Sequence, residues 1–289
     1  MSFMKFCLKI IGLTLIFIGI SFADVQKIKD KAYISLEEFL NNGFENTDIS
    51  IKSREKVKPE ISIRTLKPIL KNDTELTFFQ GSFFTHDSDP AGGIRETLNL
   101  GLGKRILKDD ENLMLGINTF YDHEFDYSHK RASVGVEIQS SILELNMNNY
   151  FAISGQKEGK NNVTEEALDG YDLEIGAHAP YIPTWKFFTK MFEFEVPDGD
   201  DLEGYKYSSE FLLPNSGVTL EVGKTDYSHT TDEWFVGIKY SFNDIDQNRK
   251  LIKNEAYERK SMKDQMEKKV RRENIIAKAS GFTVKAGGF

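Results

Sequence analysis

The sequence predicts an all-β chain that closes into an antiparallel barrel spanning a bacterial outer membrane. Three observations carry this: an export signal at the start, about two hundred residues of period-two alternation, and polar connections that are short and long by turns. Composition removes the main competitors. After residue 23 no run of eighteen apolar residues occurs, so no membrane helix is expected. With 22 Phe and 11 Tyr, disorder is excluded. The single cysteine, Cys7, allows no internal disulfide, and a net charge of −8 argues against nucleic acid as a partner.

Residues 1–23 read as a cleaved signal peptide. Lys5 and Lys9 precede an apolar core from Ile10 to Ile20. Ser21-Phe22-Ala23 then puts small residues where a signal peptidase reads them, so cleavage is expected between Ala23 and Asp24. The core is shorter than the roughly twenty residues a membrane anchor needs. A lead-in at 24–47 carries a helical pattern through Leu36, Phe39 and Leu40.

The barrel is expected over 48–242. In Arg131–Gln139 one face holds Ala132, Val134, Val136 and Ile138, and the other holds Arg131, Ser133, Gly135, Glu137 and Gln139. The same split recurs in Thr97–Arg105, Asn112–Asp122, Leu143–Phe151, Tyr171–Ala179, Val218–Lys224 and Trp234–Phe242. Segments 77–84 and 185–196 read as strands whose faces the pattern does not assign. Turns are expected at Lys71-Asn-Asp, Lys108-Asp-Asp-Glu-Asn and Pro214-Asn-Ser-Gly, and polar loops at 86–93, 123–130, 155–167 and 197–204. A soluble β-sandwich would also alternate. Gly, Asn, Arg and Glu on the second face suit a polar lumen instead. Aromatic pairs near strand ends (Phe120-Tyr121, Tyr150-Phe151, Trp234-Phe235) suit interfacial girdles. The last strand carries Gly237, Tyr240 and Phe242, a pattern similar to a bacterial barrel insertion signal, and closes the barrel at Phe242.

Residues 243–289 are expected to form a charged helical linker or tail, with the helical pattern running from Asp244 to Ala279 and Met262, Met266 and Val270 four apart on one face. This tail carries a charge of +5 against −15 for 24–242, so attraction into the lumen is one reading. A solvated helix is the other. The face assignment points Arg105, Arg131, Glu137, Glu144, Asp172, Glu174, Lys206, Glu210, Glu221 and Lys239 inward. A tail segment with Arg259, Lys263, Glu267 and Arg271 could pair with them, or they could pair with one another across neighbouring strands; Met262, Met266, Val270, Arg271 and Arg272 are the residues expected to form a pore linker.

No catalytic, cofactor or metal site is expected. The five histidines show no His-x-x-x-His spacing. Asp122-His123-Glu124 could imitate part of a hydrolase, but no serine stands out to complete it. Gly101-Leu-Gly103 lies in a strand pattern rather than a phosphate loop, where small residues make room for something inside the barrel.

Taken in order, several segments resemble the translocation barrel of the inverse autotransporters, the intimin and invasin group. They are Phe78–Gly81, Leu98–Arg105, Met114–Asp122, His129–Arg131 with Gly135–Glu137, Asn149–Ser154, Asp169–Asp172 and the final strand. Phe39–Asn46 is similar to the family's lead-in and Lys268–Ile275 to its linker helix, so the resemblance runs from about 36 to 276. It implies a twelve-stranded barrel with both ends periplasmic, the twelfth strand lying near 47–56. It also implies a linker that enters the pore to deliver a surface passenger, usually an adhesin. Outer-membrane lipid, the barrel-assembly machinery and periplasmic chaperones are the expected partners. Only 13 residues follow Ile276, so the expectation is a barrel that its own tail threads or plugs, exporting only a short peptide, standing as a reduced relic or serving a separately encoded passenger, with any surface ligand left open. The alternative is a small porin-like channel with a periplasmic tail.

Overall fold

The period-two segments become the strands of one closed sheet. The computed structural model describes residues 46–55, 57–87, 93–159, 162–197, 199–242, 251–257, 259–280 and 283–285. The expected cleavage site at Ala23 and Asp24 and the helical part of the lead-in lie outside them. The barrel strands are β1 (Thr47–Arg54), β2 (Glu60–Lys71), β3 (Glu75–Asp87), β4 (Ile94–Lys108), β5 (Leu113–Glu124), β6 (Lys130–Ser140) and β7 (Leu143–Ala152), followed by β10 (Gly170–Ala179), β11 (Ile182–Phe194), β12 (Leu202–Leu212), β13 (Val218–Tyr227) and β14 (Glu233–Ser241). Each pairs antiparallel with its neighbours in chain order, β7 pairing directly with β10. β1 closes the ring on β14, from Asp48 opposite Ser241 to Arg54 opposite Phe235. Closure leaves no unpaired strand edge, which is what hydrocarbon requires of a spanning sheet.

The connections sort by length onto opposite ends. Residues 72–74, 109–112, 141–142, 180–181 and 213–217 make short turns at one end, where β1 begins and β14 finishes. The connections at the other end have five residues or more. The longest, 153–169, was expected to be a plain loop. It instead carries β8 (Lys157–Glu158) and β9 (Thr164–Ala167). These join the tail strands β15 (Lys278–Ser280) and β16 (Thr283–Lys285) in a separate four-stranded sheet, ordered β16-β15-β9-β8.

The alternating faces are inverted relative to a soluble protein. Val134, Val136, Ile138, Met147, Ile175 and Val236 are exposed on the outside. Arg105, Arg131, Asp122 and Asp172 are fully buried on the inside. The two segments without clean alternation have an evident reason. β3 turns Leu76 and Phe78 inward as well as Gln80 and His86, and β11 turns Phe188, Phe192 and Phe194 inward beside Lys190. Aromatic and apolar side chains therefore occupy both faces there.

The same fact corrects the girdle reading. Adjacent residues on a strand face opposite ways, so only one of each aromatic pair can meet lipid. Phe120, Tyr150 and Phe235 are the inward members, at 1%, 0% and 2% exposure, while Phe151 and Trp234 stay outside. Gly101 and Gly103 do make room, but for the rings of neighbouring strands. A Cβ on Gly103 would lie 2.3 Å from Phe78, and one on Gly101 2.3 Å from Phe120.

The described part of the tail contains one helical turn, a 3-10 turn at Lys263–Gln265. The helix expected from Asp244 to Ala279 is therefore not formed among the described residues. Past the turn, backbone groups from Val270 to Asn274 bond to barrel side chains.

Gly103→Val is expected to expel the Phe78 ring and destabilise the barrel by roughly 1–3 kcal/mol, the usual cost of overpacking. Thermal loss of the heat-modifiable folded band on SDS gels measures it, and an unchanged midpoint would contradict the packing described.

Candidate functional site

The inward face and the tail form one polar interior. At the short-turn end the tail is held by backbone and turn contacts. Tyr181 donates its amide to Ala256 O at 2.9 Å, and Lys253 donates to Tyr181 O at 2.8 Å. Met262 N donates to Glu111 O at 2.7 Å, and Lys263 Nζ meets Asp73 at 2.9 Å. The Lys263 ammonium holds the exposed Asp73 carboxyl below its ordinary range, and Asp73 raises Lys263 in return.

Just inside, a partial apolar collar lines the β2–β5 side of the lumen. Leu66, Leu76, Phe78, Leu107, Met114 and Phe120 form a buried cluster with Met262, Met266 and Val270 of the tail. These three tail residues lie together in the cluster, with a single 3-10 turn at Lys263–Gln265 between the first two.

Beyond this collar the chain runs extended through charged groups. Arg105 Nη1 donates to Met266 O at 2.6 Å and to Lys268 O at 2.5 Å, and its other nitrogen binds Glu137 at 2.7 Å. Val270 N donates to Gln80 Oε1 at 2.9 Å. Asn148 donates to Arg271 O at 3.1 Å, Arg131 to Glu273 O at 2.8 Å and Asn99 to Asn274 O at 2.8 Å. Glu273 N donates to Tyr150 Oη at 2.6 Å, and that hydroxyl donates to Asp172 at 2.6 Å. An extended chain offers its amides and carbonyls to the surrounding wall. A helix would satisfy them internally and leave Arg105, Gln80, Asn148 and Asn99 without these partners.

Two tail arginines carry the densest charge contacts. Arg272 grips both oxygens of Asp122, at 2.9 and 2.7 Å, and donates to Ser133 Oγ at 3.0 Å. Asp122 is shared with Arg131 at 2.8 Å and Asn99 at 2.7 Å. Arg271 binds Glu174 and reaches Glu210 at 2.8 Å, with its guanidinium 3.6 Å from the Phe188 ring centroid. Arg272 lies over Phe120 at 4.4 Å and Arg131 over Tyr150 at 4.3 Å. These bidentate, stacked arginines use the guanidinium geometry that lysine lacks. Farther along, Lys278 Nζ meets Glu124 at 2.5 Å, Leu168 N donates to Ala277 O at 3.0 Å, and β15 pairs with β9.

Both predicted modes of pairing therefore coexist. Arg105 with Glu137, and Arg131 with Asp122, are wall-to-wall pairs. Glu144 pairs with Lys186 of the wall, and Asp172 lies 3.7 Å from Lys190. Glu174 and Glu210 go to the tail. Glu221 takes Lys52 at 3.2 Å. Lys206, Glu221 and Lys239 line a cavity of about 110 Å³ between the tail and the wall, with Arg271 and Glu273 on its tail side. Gly237 faces inward, and Tyr240 faces out, its ring 4.9 Å from Phe242 just past the strand end.

Asp122 and Glu124 point inward and are bound by tail cations, while His123 lies on the opposite face against Phe125, so the three cannot act as a relay. The sequence reading missed Gln80, Asn99, Asp122, Asn148 and Tyr150 as tail contacts. Their inward parity was readable, but no pattern tells a wall residue that holds a tail from one that holds its neighbour.

The sequence model described as the inverse autotransporter β-domain matches residues 22–274. Invasin of Yersinia enterocolitica is 28% identical over 159 residues, covering 54% of this chain and 18% of that protein. Intimin of Citrobacter freundii is 28% identical over 182 residues, covering 59% of this chain and 18% of that protein. The chain thus matches less than a fifth of the length of these relatives. Among solved structures, a barrel from a study of in-meso crystallization of membrane proteins aligns over 81% of this chain and 99% of its own, with a TM-score of 0.64 at 18% identity. An outer membrane channel from Pseudomonas putida F1 aligns over 69% of this chain and 96% of its own, with a TM-score of 0.52 at 8% identity. At those identities the likeness is one of fold.

Arg272→Ala strips a fully buried carboxylate of its bidentate partner, so the tail's hold on the wall is expected to weaken by roughly 3 kcal/mol. Hydrogen exchange at the Val270 and Glu273 amides reads it: protection falls there while the barrel strands keep theirs. Equal loss in both would contradict a separable tail.

Proposed function

The chain belongs to the inverse autotransporter β-domain family, its barrel sits in outer-membrane lipid, and from that premise we propose that its own C-terminal segment spans and seals the pore. The segment enters from the periplasmic end, where outer-membrane barrels keep their short turns, and reaches the outer end. The barrel thus acts as an adhesin-related translocator for surface display. Expectations for the partners follow: an assembly machine reading Gly237, Tyr240 and Phe242, and periplasmic chaperones that keep the chain unfolded before insertion.

The observation that carries the reading is the unbroken series of bonds from Lys263 with Asp73 at the short-turn end to Lys278 with Glu124 and β15 with β9 at the other. Two features fit a closed rather than a conducting state. The partial apolar collar packs Met262 and Met266 of the tail against strands β2–β5 at the entrance. The cavity of about 110 Å³ beside the tail has room for several waters.

Single-channel recording in planar bilayers tests the seal. The full chain is expected to be closed, and a chain ending at 250 to conduct. Met262→Glu with Met266→Glu should give an intermediate, flickering pore, because two carboxylates cannot stay dry in the collar. Equal conductance with and without the tail would refute the seal and favour the porin-like alternative.

A further inference from the structure

At the outer end of the lumen, two glutamates and a histidine from three separate elements converge. Glu124 comes from the end of β5, His129 from the loop before β6, and Glu165 from β9 of the long loop. One donor atom from each lies within 4.8 Å of the others, and all three residues are buried. His129 Nε2 stands 3.3 Å from a Glu165 oxygen. A second imidazole, His86, stands 3.9 Å from Glu124.

His129 is the unusual member. It is fully buried; its Nε2 faces Glu165 at 3.3 Å without an aligned hydrogen bond, and its Nδ1 has no hydrogen-bond partner. Buried polar groups are almost always well paired, so an imidazole without an aligned hydrogen bond, gathered with two carboxylates, marks a place for a ligand that the three can hold. Donors around a tetrahedral zinc ion, each about 2.0–2.1 Å away, stand roughly 3.3 Å from one another. The histidine–glutamate separation already matches.

The carboxylates are at present neutralised by cations. Arg95 binds Glu165 through both nitrogens, at 2.6 and 2.5 Å, and Glu124 at 3.0 Å. The tail supplies the second cation, the Lys278 ammonium at 2.5 Å from Glu124. Arg95 is part of the wall, but Lys278 can leave with the tail.

We propose that Glu124, His129 and Glu165 form a divalent-metal site of the zinc class, with Lys278 of the tail as its built-in competitor. Two carboxylates and neutral imidazole suit zinc-type ions better than magnesium, which prefers oxygen and its own waters. The exchange moves no covalent bond: the ammonium withdraws and the metal takes its place. By linkage, metal at the rim loosens the outer end of the tail as much as the tail weakens the metal. The site does not depend on whether the tail delivers anything to the surface.

Titration of Zn²⁺ alone into the tag-free, detergent-solubilised full chain tests this, with the heat-modifiable gel shift confirming the fold of each variant. One ion per chain is expected. Lys278→Ala should tighten binding roughly tenfold, within the usual range of coupling between linked sites. His129→Ala in that background should weaken it by roughly 10–100-fold, as losing a metal contact does. Glu165→Gln serves if His129→Ala does not fold. Absence of saturable binding in both the wild type and Lys278→Ala overturns the site, as does binding that survives His129→Ala or Glu165→Gln. Affinity unchanged by Lys278→Ala overturns the competition.

Discussion

The structure depends on the need to compensate charges that the barrel turns inward and away from bulk water. Asp122 shows the constraint most clearly. A fully buried carboxylate without partners would be prohibitively costly, and this one accepts from Arg131, Asn99 and Arg272. Two of those donors belong to the wall and one to the tail. The same holds for Glu174 and Glu210, whose cation is Arg271. The interior is completed by the tail, and the opposite net charges of the two segments are the sequence-level trace of that.

Aromatic rings set the shape of the space in which this happens. Phe78 and Phe120 lean over Gly103 and Gly101, and the guanidiniums of Arg105 and Arg272 lie over those rings, at 4.8 and 4.4 Å. Small residues on one strand thus admit large ones from the next, and the large ones offer faces to cations. At the entrance the same rings join Met262, Met266 and Val270 in an apolar cluster. This apolar collar covers the β2–β5 side of the lumen.

How much of this was legible follows from what each pattern encodes. Strand parity is local, so Arg105, Arg131, Glu137 and Glu174 could be set inward from alternation alone. The family resemblance added the strand near 47–56, which alternation left weak. Phe120 and Tyr150 were misread because an aromatic beside another aromatic looks like a girdle whichever one faces lipid. The tail was read as a helix from the spacing of Met262, Met266 and Val270. Partners such as Gln80 and Asn148, which take up its backbone groups, are far away in sequence and unreadable from it. Glu124, His129 and Glu165 meet for the same reason that no motif revealed them: they come from three elements brought together by the fold.

The central claim is that the tail passes through the pore, and topology in intact cells tests it most directly. A small epitope after Phe289 would be probed by antibody before and after permeabilisation, with an epitope at Gly155 in the long loop as surface control. A tail that crosses the pore gives signal on intact cells comparable to the control. Signal at Gly155 on intact cells, with the C-terminal epitope visible only after permeabilisation, would contradict it.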